Sequence, residues 1–327
     1  MLRLAAPRLT RASTLAAVAP RAARPLFTGT GIKSWIDDLT SQPAEYSTDT
    51  IDNLRATRLI QTLPTRESAV GGTDVEEGGQ LPKAHHLVYF NPDEWMGQLG
   101  ADGTNTEYNA PNPYTRRMWA GGRFLWNPKK HLRIGTQVTQ SVRVDSAVEK
   151  NIMVFVEQAR EFYADKADVE ARDWAVREER THVFLPELSG AKGAEKKKPS
   201  AAGLPKPAYE HAFVPDSPLL FRYSALTWNA HKIHYDLDWT RRVEGHPDLV
   251  FHGPLSATLL VELAQRAADD VAAEFVKFEY RATSPMYVKR EIKLRAAWDG
   301  PRGTKLSVWA EQDGVVGMKG TAYLAPV

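Results

Sequence analysis

The chain has 327 residues, 43% of them hydrophobic and 25% charged, enough for a substantial core and about two domains. That balance excludes a disordered chain. The absence of cysteine excludes a disulfide scaffold, a thiolate metal site and a cysteine nucleophile.

In chain order, residues 1–34 come first. They are arginine-rich, free of acids and scattered with Ser, Thr and Ala, the composition of a mitochondrial presequence. Arg24-Pro25-Leu26-Phe27-Thr28-Gly29 also fits the Arg-x-hydrophobic-x-x-small pattern of a matrix-protease site, so a mitochondrial matrix location is expected. Through residue 36 the chain carries six basic residues and no acid. Taking these six from the 42 basic residues leaves 36 against 40 acidic ones. A net acidic remainder argues against a phosphate-backbone partner, so no nucleic acid is expected. No run reaches the roughly 18 apolar residues of a membrane span.

Residues 35–188 are irregular. Residues 37–62 read as a polar helical stretch, and 87–91, 116–125, 137–146 and 151–163 as strands, with 171–184 as a further pair. Residues 189–207, rich in Gly, Pro and Lys, read as a solvated linker. Residues 208–327 are clearer. An extended lead-in over 209–223 is followed by Gly253-Pro254, which opens a helix that is apolar all round over 255–264 and so is expected to be buried. Strands follow at 276–282, 286–298, 305–312 and 315–324, separated by Ser-Pro, Asp-Gly-Pro and Asp-Gly turns. A buried helix followed by an antiparallel meander predicts an α+β fold, with a sheet wrapped around a central helix.

The chemistry concentrates between residues 221 and 260. Four of the nine histidines, His231, His234, His246 and His252, cluster there beside Ser224, Thr227 and Asn229. His252-Gly253-Pro254 stands at the mouth of the buried helix. The first N–H groups of a helix are unpaired and lie at the positive end of its dipole, a setting suited to an oxyanion.

Asn229-x-His231-x-x-His234-Tyr235-Asp236, followed by Leu249-Val250-Phe251-His252-Gly253-Pro254-Leu255, resembles the MaoC-like hot-dog hydratases, and within them the mitochondrial 3-hydroxyacyl-thioester dehydratases type 2. The resemblance extends to residues 278–294 and, in the N-terminal half, to Leu81-Pro82-x-x-His85-His86 and Arg116-Arg117-Met118-Trp119-Ala120-Gly121-Gly122. It covers roughly residues 80–325 without the linker. It implies a double hot-dog: a degenerate N-terminal half (35–188) that supplies an acyl tunnel, and a catalytic C-terminal half (208–327). It also implies a hydro-lyase acting on thioesters carried by acyl-carrier protein or coenzyme A, with no further cofactor; a homodimer is compatible with it. The wider family motif Gly-Asp-x-Asn-Pro-x-His places its Asp on Asn229 and its final His on His234, so the motif carboxylate is absent.

The implied reaction is reversible addition of water to a 2-enoyl thioester. It needs a base and acid at C2 and C3 and a donor to the enolate oxygen. His234 is the expected acid/base, because an imidazole titrates near working pH. Asn229 is expected to donate to and accept from the water or hydroxyl, and the Gly253 N–H to polarise the carbonyl. Asp236 is the nearest candidate for the missing acid/base. His231, Trp228, His252 and Pro254 are expected near the substrate, His252 equally as a packing or capping residue. Arg116 and Arg117 are expected on phosphates or a second carboxylate. Glu262 reads as a rim residue. A zinc site at His231, His234 and Asp236 is disfavoured by loose spacing. Dehydration in matrix fatty-acid synthesis is the first reading. A mesaconyl-type dicarboxyl-CoA hydratase, or a non-catalytic thioester-binding protein, are the alternatives.

Overall fold

A computed structural model describes residues 31–69, 75–186 and 199–326. The leader, apart from its last residues, and most of the linker lie outside the described residues. The N-terminal half contains α1 (Ile32–Ser41), β1 (Glu45–Thr50), α2 (Asn53–Ile60), β2 (Arg116–Trp126), β3 (Gln137–Lys150), β4 (Met153–Tyr163), α3 (Lys166–Ala171) and β5 (Val176–Leu185). The C-terminal half contains β6 (Tyr209–Phe213), α4 (Ser217–Leu226), α5 (Leu237–Arg242), α6 (Gly253–Asp269), β7 (Ala273–Ala282), β8 (Ile292–Trp298), β9 (Lys305–Gln312) and β10 (Val315–Pro326).

The strands form one ten-stranded antiparallel sheet in the order β1-β3-β4-β5-β2-β7-β10-β9-β8-β6. Counted within its own half, each set of five runs first-third-fourth-fifth-second from the outer edge to the seam. The two halves therefore share one topology and meet back to back at β2 and β7, as a double hot-dog. Their letters had diverged too far to display the repeat. At the seam Phe124 sits opposite Phe278 and Gly122 opposite Tyr280. A Cβ on Gly122 would collide with the Glu179 carbonyl oxygen, and one on Gly121 would lie 2.5 Å from that of Tyr280. The glycine pair lets β5 and β7 close on β2.

In the C-terminal half, α6 is the core. Leu255, Leu259, Leu260, Val261, Ala264 and Ala267 are buried in one cluster with Leu306, Val308 and Ala310, the inward-facing alternate residues of β9. Each leucine removed from water there is worth about 2 kcal/mol. Between β1 and β2, the described residues of the corresponding N-terminal stretch hold only the eight-residue α2 and short 3-10 turns, one over His85–Val88. The space that a second α6 would fill stays open beneath β4 and β5.

Several boundaries differ from the sequence reading. Residues 32–34 belong to α1, which buries Trp35 and Leu39. The polar stretch 37–62 is interrupted by β1, because Gln42-Pro43 ends α1 and Asp52 starts α2 by accepting from the Arg55 N–H. Residues 85–88 form a 3-10 turn rather than a strand. Residues 171–184 hold one strand, β5, preceded by α3. The extended lead-in ends at Phe213, where Asp216 and Pro218 initiate α4. Of the expected linker, residues 199–201 are not free chain: Val316 N donates to Pro199 O, and Ala201 N to Gly314 O.

Candidate active site

Between the halves lies a cavity of about 1320 Å³. One wall comes from the α4–α5 connection and the start of α6. Asn229, His231 and His234 line it together with Gly253 and Pro254. The connection is held in place by backbone bonds. Val250 N donates to Ile233 O (2.9 Å), and Phe251 N donates to Met286 O (2.8 Å). The exposed Trp228 lines the cavity too.

His234 is buried, and its Nδ1 lies 2.7 Å from the Val250 carbonyl oxygen. A carbonyl only accepts, so Nδ1 carries the proton, and Nε2 is left as the basic nitrogen available to the cavity. Burial, aided by His231 and His246 and opposed by the Val250 bond, pushes the imidazole down to about 3. It is neutral at physiological pH. His252 stacks on it and hydrogen-bonds Ser224 Oγ through Nε2 (2.9 Å). His252 does not line the cavity; it supports His234 from behind. Nor does its side chain cap α6, so the amides of the first turn remain open.

Asn229 Oδ1 accepts from the His231 N–H at 3.0 Å. The side chain thus closes its own turn, and Nδ2 makes no hydrogen bond among the described residues. Its donor is free, and Oδ1, with one lone pair engaged by the His231 N–H, keeps the other. The expectation for Asp236 is corrected. It caps α5 by accepting from the Trp239 N–H at 2.9 Å and does not line the cavity. Arg116 is paired with Glu244 at 3.3 Å and also stands outside the lining. Arg117 lines the cavity from within and donates to Asn105 O, a poor location for carrier phosphates. Glu262 is no rim residue. It is buried on α6 and bound by His85, Arg66 and Thr65 of the N-terminal half. Burial alone would raise this carboxyl, but those three partners hold it at about 2.

The opposite wall is polar. β4 contributes Gln158 and Arg160, and β5 contributes Glu178, Arg180 and His182. Arg160 Nε, Gln158 Nε2 and His182 Nδ1 are buried without hydrogen-bond partners. Among the described residues neither Arg117 nor Arg160 has a carboxylate within ion-pair distance. Enclosure, with the neighbouring Arg180, pushes both guanidinium groups down, Arg160 to about 10, against the opposing charge of Asp102 at Arg117 and of Glu178 at Arg160. Glu178 is the acid on this wall, 2.7 Å from Arg180 Nε and 3.5 Å from His86 Nε2. Burial would raise its carboxyl, but Arg180, His86 and Arg160 hold it well below the usual range. The acyl tunnel expected of this half therefore has a charged wall, on which Arg117, Arg160 and Arg180 outnumber Glu178. Trp119 joins the two walls. Its side chain lies where a Cβ on Gly253 would come within 3.3 Å, and the Arg180 guanidinium stands 4.2 Å over its ring. Sequence reasoning missed Arg160, Arg180 and His182. Their two-residue spacing was visible, but the alternate residues of β5, Arg177, Glu179 and Thr181, are equally polar, so nothing marked the inner face.

Among the described residues no group of His, Asp and Glu could hold a metal ion, and no helix is long and apolar enough to cross a membrane.

The profile of the hydroxyacyl-thioester dehydratase type 2 family matches residues 84–288. A mesaconyl-C(4)-CoA hydratase of Chloroflexus aurantiacus is 31% identical over 282 residues, 84% of this chain and 93% of that protein. A mitochondrial hydroxyacyl-thioester dehydratase type 2 of Schizosaccharomyces pombe is 24% identical over 237 residues, 65% of this chain and 77% of that protein. Among solved structures, a MaoC-like dehydratase of Phytophthora capsici superposes with a TM-score of 0.63 at 19% identity, covering 89% of this chain and 97% of that one.

Proposed function

Because the chain belongs to the hydroxyacyl-thioester dehydratase type 2 family, a family of hydro-lyases, we propose that it adds water reversibly across the double bond of a short 2-enoyl thioester whose acyl group ends in a second carboxylate. In dehydration, His234 Nε2 removes the C2 proton of the 3-hydroxyacyl thioester and returns a proton to the departing C3 hydroxyl. Asn229 Nδ2 donates to that hydroxyl. The thioester carbonyl receives the Gly253 N–H at the positive end of α6, which stabilises the enolate; a donor so placed is worth about 3–4 kcal/mol of barrier. The neutral state of His234 is the state a base requires. Its basicity rises once enolate charge develops beside it. The observation that carries this reading is the Nδ1–Val250 bond, which turns Nε2 toward the cavity beside α6.

The acyl group is read from the far wall. An unbranched fatty chain would lie against enclosed guanidinium groups that make no direct ion pair, which favours neither partner. A carboxylate at the end of a short chain passing Trp119 supplies the missing charge to Arg160 and Arg117 and accepts bidentate hydrogen bonds. The name of the Chloroflexus relative agrees with a dicarboxylic acyl group. The name of the fission-yeast relative, and the basic leader, agree with a mitochondrial matrix location. Fatty-acid synthesis in the matrix is the second reading, supported by that relative's name. Coenzyme A and acyl-carrier protein are both carriers of the thioester such a site accepts.

The test is a comparison of full-length protein on crotonyl-CoA and on mesaconyl-C(4)-CoA, following loss of the enoyl-thioester absorbance. A kcat/KM at least about 30-fold higher for the dicarboxylic substrate is expected, equivalent to about 2 kcal/mol from one desolvated charge pair. Preference for crotonyl-CoA would return the acyl group to the fatty-acid reading. Turnover of neither would remove the hydro-lyase assignment.

A further inference from the structure

The family motif lacks its carboxylate here, yet a carboxylate reaches the histidine pair from the other half of the molecule. Asp102, in the connection between α2 and β2, places Oδ2 at 3.8 Å from His231 Nε2. Its other oxygen, Oδ1, is taken by the Thr104 N–H (2.9 Å) and the Thr104 hydroxyl (2.8 Å). The Asp102 side chain is thus fixed, with one free oxygen aimed at the imidazole. The loop is docked by its backbone as well. Lys232 N donates to Asp102 O at 2.8 Å. Gly103, at φ +83, passes so close to Ala230 that a Cβ would collide with that residue's carbonyl oxygen. A loop that needs glycine at its point of contact and presents a locked carboxylate to an imidazole is built to hold that imidazole.

We propose that Asp102 is a positioning residue for the hydration site: its carboxylate, within ion-pair distance of His231 Nε2 but beyond hydrogen-bond length, favours through its charge the tautomer protonated on that nitrogen, so that the N-terminal half supplies the carboxylate that Asn229 replaces in the motif. This rests on the reading of His234 as acid/base. The groups facing His231 are Asp102, Arg117, His234 and His246. Burial, with Arg117 and His246, keeps its ring neutral, and a neutral imidazole beside a carboxylate carries its proton on the nearer nitrogen. Nδ1 is then an acceptor. The His231 ring stands edge-on to the His234 ring, with centroids 5.6 Å apart and planes at 83°. A wrong tautomer would turn an acceptor into a donor on the ring beside His234, changing the hydrogen bonds offered to the incoming water.

The decisive variant is Asp102→Asn. Thr104 donates twice to Oδ1, so the amide oxygen stays there and the amide NH₂ faces His231. That imposes the opposite tautomer with almost no change in shape. Full-length protein carrying isotope-labelled histidine is compared with the variant by ring N–H correlation spectra, and both are assayed on a CoA enoyl thioester with His231→Ala and the double variant. Expected are a His231 proton on Nε2 in the parent and on Nδ1 in the variant, and a fall in kcat of roughly tenfold to a hundredfold with KM within about twofold. No further loss is expected in the double variant beyond His231→Ala. An unchanged tautomer, or losses that multiply in the double variant, would overturn the proposal. If the parent shows no hydro-lyase activity, the reading beneath fails instead, and the spectra still decide the contact.

Discussion

The His234 imidazole lies face to face on the His252 imidazole, with ring centroids 3.6 Å apart and planes inclined by 19°. Two stacked rings at that distance cannot both carry charge. Burial, with His231 and His246, pushes His234 down to about 3, and burial, with His234 and His231, pushes His252 well below its ordinary value. An acid/base histidine with an ordinary value would give kcat/KM an acid limb near pH 6.5. Here none is expected: kcat/KM should stay flat from pH 8 to pH 5, measured at fixed ionic strength over intervals short enough to avoid unfolding. A clear acid limb between pH 6 and 7 would mean that His234 is not the titrating base, or not buried as described.

The same burial governs stability. Each histidine held neutral in the fold charges freely in the unfolded chain. Its contribution is complete above about pH 6.5 and is lost as pH falls toward the depressed folded value. His182, His231, His234, His246 and His252 all shift in that direction. His231 and His234, held at about 3, each add up to about 1.4 kcal/mol per pH unit to the slope between pH 6.5 and pH 4, and the others add to it down to their own lowered values. The urea midpoint should therefore fall steeply from pH 6.5 downward. A midpoint constant to pH 5 would contradict the neutral assignment.

Arg160 has an orphaned Nε, and the carboxylate opposite it on β5, Glu178, is ion-paired with Arg180 rather than with it. Arg160→Met removes an enclosed cation whose desolvation is only partly offset in the free protein, by Glu178 and by its bond to Gln158 Oε1. The thermal midpoint should stay level or rise, while kcat/KM on a dicarboxylic enoyl thioester falls about 30-fold or more and that on crotonyl-CoA does not. Equal losses on both substrates would assign Arg160 to the frame of the cavity rather than to recognition.

Asp236 and Glu262 separate structural from chemical carboxylates. Asp236→Ala removes the α5 cap and should cost about 1 kcal/mol of stability with kcat unchanged. A large loss of kcat would restore Asp236 as the missing acid. Glu262→Ala leaves His85 and Arg66 without their partner and frees α6 from the N-terminal half. A loss of about 3 kcal/mol is expected by chemical unfolding, more than at Asp236.

The C-terminal half was largely legible in the sequence. Its helix is apolar on every side, and Leu306, Val308 and Ala310 alternate cleanly, so local pattern and burial agree. The His231–His234 pair and Gly253 could be named because they lie close together in the chain. What escaped has one physical cause: it depends on contacts between distant segments. Asp102 stands 129 positions before His231 in the numbering, and no periodicity links them. The cationic wall escaped because an inner face normally reads as apolar, whereas a strand lining a polar cavity is polar on both faces. Asp236 was chosen for its nearness in sequence to His234, yet the turn between them sends its carboxylate to the α5 N-terminus. The repeat was hidden because topology survives where side chains have diverged to fill two different roles.

The rate of enoyl-thioester hydration by His234→Ala, relative to the parent and at matched folded fraction, bears most directly on the site. General acid–base catalysis contributes about 10²–10⁴-fold, so a loss of at least about a thousandfold in kcat is expected, with thioester binding retained. A variant that hydrates within tenfold of the parent would contradict the assignment of His234.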